Sequence, residues 1–221
     1  NSIVIHNGVD HEYLDSLSVS RNVVFKSIRC EDWKNKKILG TISRISPEKG
    51  IHNLLSAFSK IIPIMDDLRL IIVGGCSPEY RDYYVRVKGF IEQKNLTEYV
   101  RILGYQQDAV KILKCMDFYV SSSLSEGLPI SVLEACASGI PTVATEITGN
   151  KDILCNSIFG VLVKPNSPES LANGIIKMIK LTKNERDALT QNARKRIKVH
   201  FSIDEMALKT TLLYKKILSK E

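Results

Sequence analysis

The sequence predicts an α/β protein built on a doubly wound, Rossmann-like parallel sheet of about six strands. Three observations carry this. Six apolar runs of four to seven residues recur along the 221-residue chain. The runs show little polar alternation, so both faces of each strand must be covered. Longer amphipathic segments with helix-start signals lie between them, and strands alternating with helices wind into a parallel sheet.

The first run is Lys37–Ser43. Ser46-Pro47-Glu48 then reads as a helix cap with Pro at the first helical position, and Leu54, Leu55, Phe58, Ile61 and Ile62 share one face. Arg69–Val73 is the second run, and Pro78 opens a helical segment reaching about Lys94. Tyr99–Leu103 is the third, followed by a short helix over Asp108–Cys115. After the fourth, Asp117–Ser121, a helix runs from Pro129 to Ser138 and ends at Gly139. Pro141–Ala144 and Gly160–Val163 complete the set. Ser167-Pro168-Glu169 caps a helix through Ile179, and Thr182-Lys183-Asn184-Glu185 is a capping box for the next. Ile203, Met206, Ala207, Thr210, Leu213, Tyr214 and Ile217 form one stripe of the last helix. The first thirty-five residues fit the pattern poorly: Asn7-Gly8 marks a turn and Asn22–Lys36 reads as irregular. The expected organisation is a linker-proximal approach segment over 1–36, a ligand-binding domain over 37–200 and a C-terminal helix over 201–221. The opening Asn-Ser-Ile-Val-Ile-His reads as the middle of a longer protein.

No apolar stretch approaches the ~18 residues of a membrane span, and the N-terminus lacks the pattern of a signal peptide. Five widely spaced cysteines without a C-x-x-C argue against a zinc site or a disulfide framework. Buried free thiols in a reducing, cytoplasmic compartment are expected. The net charge of +7 resides entirely in residues 177–221, which hold twelve Lys/Arg against five Asp/Glu. Basic helices suit nucleic acid or an anionic membrane surface, and a solvated face explains the same excess.

Ligands of such sheets bind beyond the carboxyl ends of the strands, which singles out the loops there. The loop after the fourth run carries Glu126 and Gly127 and leads into a helix with Glu134. Backbone N–H groups of Leu128, Ile130 and Ser131 around Pro129 suit a phosphate. Glu134 sits between Leu133 and Ala135, where a carboxylate needs a partner. Ribose hydroxyls suit it as donors, and a pairing with a nearby Arg or Lys is the plainer reading. The loop after the first run places Arg44 and Lys49 at the same edge, where two cations can stabilise a diphosphate leaving group. A solvated loop is the plainer reading there.

Taken in order, these stretches resemble the C-terminal domain of the retaining family 4 glycosyltransferases, one half of the GT-B architecture. The resemblance lies in Arg44 with Lys49-Gly50, in Glu126-Gly127-x-Pro129 with Glu134 eight positions on, and in Ala137-Ser138-Gly139-Ile140-Pro141-Thr142-Val143-Ala144-Thr145. Leu103-Gly104-Tyr105 is similar to the family's base-contacting turn, and His6-Asn7-Gly8-Val9-Asp10 to its domain start. The resemblance implies a nucleoside-diphosphate sugar as donor substrate, UDP by default, with no cofactor and no metal. It implies a saccharide or lipid-linked acceptor, and an N-terminal domain of the same polypeptide to which the last helix crosses back. Arg44 and Lys49 are then diphosphate ligands, Glu126 a sugar ligand and Glu134 a ribose ligand. Peripheral contact with an anionic membrane through Lys195, Arg196 and Lys198 is expected, and a nucleic-acid partner is not. Ser43 replaces the family's usual Gly, His6 its Pro, and Thr148-Gly149-Asn150-Lys151-Asp152 the commoner G-G-x-x-E. The alternatives are a GT-B nucleotide-sugar epimerase and a non-catalytic nucleotide- or nucleic-acid-binding module. A G-x-G-x-x-G after the first run, a P-loop, H-E-x-x-H and G-x-S-x-G are all absent.

Overall fold

Each apolar run forms a strand in the computed structural model, which describes residues 3–218; the first two positions of the approach segment and the last three of the C-terminal helix lie outside these. The strands are β1 (Lys37–Ile42), β2 (Leu68–Val73), β3 (Val100–Gly104), β4 (Phe118–Ser121), β5 (Thr142–Thr145) and β6 (Val161–Val163). All neighbours pair in parallel, in the order β3-β2-β1-β4-β5-β6. The chain leaves β1 in one direction through β2 and β3, then returns to the other side of β1 with β4. The carboxyl ends of β1 and β4 therefore flank the switch point, where the connecting loops diverge and leave a crevice.

The helices are α1 (His11–Ser16), α2 (Arg21–Ser27), α3 (Ile51–Ile61), α4 (Arg81–Gln93), α5 (Ala109–Leu113), α6 (Ile130–Ala137), α7 (Thr148–Leu154), α8 (Pro168–Lys180), α9 (Lys183–His200) and α10 (Ile203–Leu218). Leu54, Leu55 and Phe58 of α3, Val87 of α4 and Ile175 of α8 pack on one face of the sheet. Leu133 of α6, Ile153 of α7 and Ala193 and Ile197 of α9 pack on the other. Burying each large apolar side chain contributes about 1.5–3 kcal/mol. Covering both faces is why the strands read as unbroken apolar runs. The caps of α8 and α9 form as their sequences imply: Ser167 accepts from Ser170 N, and Thr182 with Glu185 makes the full capping box.

Several expectations are corrected. Asn22–Lys36 is not irregular: it contains most of α2 and a 3-10 turn over Glu31–Trp33. Phe25, Cys30 and Trp33 from this segment join the core. Arg21 grips Asp117 at 3.1 Å, and Asp117 also accepts from Ile38 N at 2.7 Å, so the segment is tied to the start of β1. Ser46 precedes a 3-10 turn with Pro47 at its start rather than α3, and its side chain caps no backbone amide. Its hydroxyl donates to Glu48 Oε1 at 2.5 Å, Pro47–Lys49 is a 3-10 turn, and left-handed Gly50 separates it from α3. Pro129 is the N-cap of α6 rather than its first helical residue. Among the cysteines, all free, Cys76 and Cys155 are only half-buried. No residue of α10 is buried, and its stripe is exposed at Ile203, Ala207, Tyr214 and Ile217, with Leu208 and Leu212 exposed beside it.

Candidate functional site

Two loops meet at the switch point because Gly50 lets them. Gly50 has φ +63°, and a Cβ there would lie 2.1 Å from the carbonyl oxygen of Ser122. Only a residue without a side chain allows the β1 loop to lie on the β4 loop. The contact is then sealed by two bonds: Ser122 Oγ donates to the Lys49 carbonyl at 2.8 Å, and Leu124 N to the Glu48 carbonyl at 2.7 Å.

This packing brings Lys49 and Glu126 together across 77 positions, with Nζ and Oε1 2.5 Å apart. The side chains are only 16% and 17% exposed. Ser123 Oγ donates to the same carboxylate oxygen at 2.8 Å. Arg44 is different in kind. It is 64% exposed and pairs with Glu48 at 3.6 Å, so it is a solvated cation at the rim of the cavity.

A cavity of about 300 Å³ opens between these groups, lined by Asn7, Arg44, Lys49, Glu126 and residues 128–131. The N-terminus of α6 forms one wall. The amides of Ile130 and Ser131 have no intrahelical acceptor there, and the helix dipole favours negative charge. The turn at Gly127 is held from behind by α7: a Cβ on Gly149 would sit 2.2 Å from the Gly127 carbonyl. Glu134 lies one turn along α6 from Ile130, half-buried, and no described residue forms an ion pair with it. The pairing with a local Arg or Lys is thus not made. Burial alone pushes the Glu134 carboxyl above its usual range. Glu134 does not line the cavity; Tyr119, which does, is pushed up to about 12, chiefly by burial.

Gly104 lines a second cavity of about 370 Å³ with Ile45, Gly74, Gly75 and Arg81. Neighbouring residues Arg44 and Ile45 line one cavity each, so the two flank the same loop. Gly104 takes φ +68°, and its carbonyl accepts from Gly74 N at 2.8 Å. Tyr105 is 79% exposed and does not line this cavity.

The structure therefore brings Lys49, Glu126 and Leu128–Ser131 into one cavity with Arg44 at its rim, Glu134 on the same helix and Gly104 next door. Sequence reasoning missed Ser123, Thr145 and Asn150. Each is at most 3% exposed, and Thr145 Oγ1 donates to the Ser123 carbonyl at 2.5 Å. The available signal was three consecutive serines ending a buried strand. Chemically, the cavity offers cations and free amides for an anion beside a carboxylate acceptor for hydroxyls.

The family described as glycosyl transferases group 1 matches residues 26–196. An uncharacterized glycosyltransferase of Methanocaldococcus jannaschii is 30% identical over 216 residues, 96% of this chain and 53% of that protein. The UDP-Gal:alpha-D-GlcNAc-diphosphoundecaprenol alpha-1,3-galactosyltransferase of Escherichia coli is 27% identical over 213 residues, with the same two coverages of 96% and 53%. The structure of Anabaena HepE in complex with UDP-glucose superposes with a TM-score of 0.86 at 25% identity, covering 97% of this chain and 57% of that one. The chain spans about half the length of the curated relatives it matches.

Proposed function

The chain belongs to the group 1 glycosyltransferases, and from that premise we propose that it binds a UDP-sugar and serves its transfer, with retention of anomeric configuration, to a saccharide or lipid-linked acceptor. The observation that carries this is the convergence of Lys49 and Glu126 at the β1/β4 switch point, beside the free amides of α6. Lys49 exchanges Glu126 for the donor diphosphate, and Arg44 closes on it from the rim. Charge neutralisation there stabilises UDP as a leaving group. Glu126, released from Lys49, accepts from hydroxyls of the transferred sugar. Glu134 accepts from the ribose, Leu128 to Ser131 orient phosphate and sugar, and Gly104 flanks the base in the second cavity, with the exposed Tyr105 beside it. The relatives support this choice: HepE is solved with UDP-glucose, and the E. coli enzyme is named for a UDP-galactose donor and a lipid-diphosphate acceptor.

Anomeric proton NMR on a polypeptide that joins the chain to the N-terminal domain proposed below, incubated with α-linked UDP-glucose and candidate acceptors, tests the reading. The expected product keeps the α configuration. A β product contradicts retention, and a donor epimerised at C2 without transfer replaces the reading with an epimerase.

The proposal includes an N-terminal domain as partner of α10. Leu212 and Leu213 line an open groove of about 320 Å³ with Ile3, Val4 and Ile5. It also includes peripheral contact with an anionic membrane, with Lys195 and Lys198 as the contacting cations. Arg196 serves the fold instead: its guanidinium donates to the carbonyls of Ile153 and Asp152 and lies over Phe159 and Phe201. Arg186 and Arg194 are likewise engaged, with the Ile179 and Leu181 carbonyls and with Asp15. Flotation with phosphatidylserine vesicles is expected to carry the chain upward, and Lys195→Gln/Lys198→Gln to weaken the binding about 30-fold, at ~1 kcal/mol per lysine. Flotation equal on neutral vesicles contradicts the contact. Among the described residues no helix is long and apolar enough to cross a membrane.

A further inference from the structure

A line of buried polar groups reaches Glu126 from behind, and the donor chemistry above makes no use of it. Asn150 on α7 is 0% exposed; its Nδ2 donates to the Thr145 carbonyl at 2.8 Å and lies 3.4 Å from Thr145 Oγ1. Thr145, 2% exposed at the end of β5, donates through Oγ1 to the Ser123 carbonyl at 2.5 Å. Ser123, 3% exposed, donates through Oγ to Glu126 Oε1 at 2.8 Å. Three separate elements thus supply one chain of bonds that ends on the carboxylate.

Polar groups are costly in such a place, and apolar side chains of similar size would pack there without needing partners. What the hydroxyls and the amide add is direction. The Thr145 bond fixes the Ser123 carbonyl, and so the backbone from which Ser123 Oγ reaches Glu126. The amide of Asn150 is oriented by its donation to Thr145 alone, since its buried Oδ1 has no partner. The same helix also braces the next residue of the turn, through the close approach of Gly149 to the Gly127 carbonyl. Both Glu126 and Gly127 are therefore held from α7.

We infer that Asn150, Thr145 and Ser123 are positioning residues that aim the Glu126 carboxylate at the transferred sugar. This rests on the donor reading of Glu126. It assigns Thr145 and the helix Thr148–Leu154 a part in sugar selection at a distance. When the donor diphosphate draws Lys49 away, the Ser123 hydroxyl is the remaining bond that keeps Glu126 in place.

The test is calorimetric titration of wild type, Thr145→Val, Thr145→Ser, Ser123→Ala and Glu126→Gln with UDP and with UDP-glucose, UDP-galactose and UDP-N-acetylglucosamine. Wild type is expected to bind one conjugate more tightly than UDP. Thr145→Val and Ser123→Ala are expected to cut that gain by about fivefold, the effect of one hydrogen bond, with UDP affinity within about twofold of wild type. Thr145→Ser, which restores the hydroxyl, is expected to restore the gain. Variants that keep the gain, or that lose UDP and conjugate affinity together, overturn the positioning role. A wild type with no gain, or a Glu126→Gln that retains it, overturns instead the donor reading of Glu126. Where Thr145→Val does not fold, Ser123→Ala decides alone, because it removes the last link without touching the packed strand.

Discussion

Lys49→Met is expected to weaken UDP binding by about 10- to 100-fold and to lower the stability of the free protein. The binding loss follows from removing one charge-assisted bond to the diphosphate, worth about 1.5–3 kcal/mol. The stability loss follows from the other role of the same side chain. Lys49 and Glu126 are 16% and 17% exposed, so a Glu126 left without its cation is a poorly solvated charge. Removing one partner of a fully buried pair costs about 3–5 kcal/mol, and the residual exposure here reduces that to about 2 kcal/mol. The Tm then falls by about 4–8 °C for a chain of this size. The double variant Lys49→Met/Glu126→Gln is expected to regain most of the Tm and none of the UDP affinity. Thermal melts and calorimetry on the three variants separate the two roles. Recovery of binding in the double variant would make Glu126, rather than the diphosphate, the reason for Lys49.

Glu134→Gln is expected to move stability and binding in opposite directions. Burial raises the Glu134 carboxyl, and no described cation offsets it. The folded chain therefore favours the protonated form more than the unfolded chain does. That penalty is absent below the unfolded value and is complete once the pH has risen through the raised folded value. Near neutral pH the unliganded Gln variant is expected to melt higher than wild type, with the two curves converging on acidification. Nucleotide affinity is expected to fall by about tenfold or more, because an ionised carboxylate accepts two hydroxyls where an amide oxygen accepts weakly. In wild type the affinity is also expected to decline as the pH drops through the raised Glu134 value, and in the variant to stay flat. Equal melting of the two proteins at neutral pH would remove the basis for calling Glu134 a carboxylate held ready for a ligand.

The strands were legible because each is covered on both faces, and their limits fall within one residue of the apolar runs. Helices with strong local signals, such as α9 with its Thr182–Glu185 box, were legible too. The six-residue α1 and seven-residue α2 were not, since such short helices form only by packing. The helix α7 begins Thr148-Gly149-Asn150, a poor start on propensity alone. It is defined by the buried amide of Asn150 and by the fit of Gly149 against Gly127, and neither leaves a pattern in sequence. For the site, the residue types at 44, 49, 126 and 134 gave the chemistry. The geometry added their inequality: Lys49 bonded to Glu126, Arg44 exposed at the rim beside Glu48, and Glu134 without an ion-pair partner among the described residues. Positions 49 and 126 are joined only through Gly50 and the bonds around it, which no spacing rule contains.

The proposed site at the β1/β4 switch point takes a nucleoside-diphosphate sugar, with ribose and sugar divided between Glu134 and Glu126. The most direct test is calorimetry of the chain with UDP, GDP, ADP and their sugar conjugates, repeated on Glu134→Ala and Glu126→Ala. Selective binding is expected, with a loss of affinity for the nucleotide itself in Glu134→Ala and a loss confined mainly to the sugar increment in Glu126→Ala. Equal affinity of the wild type and both variants for every nucleotide would contradict it.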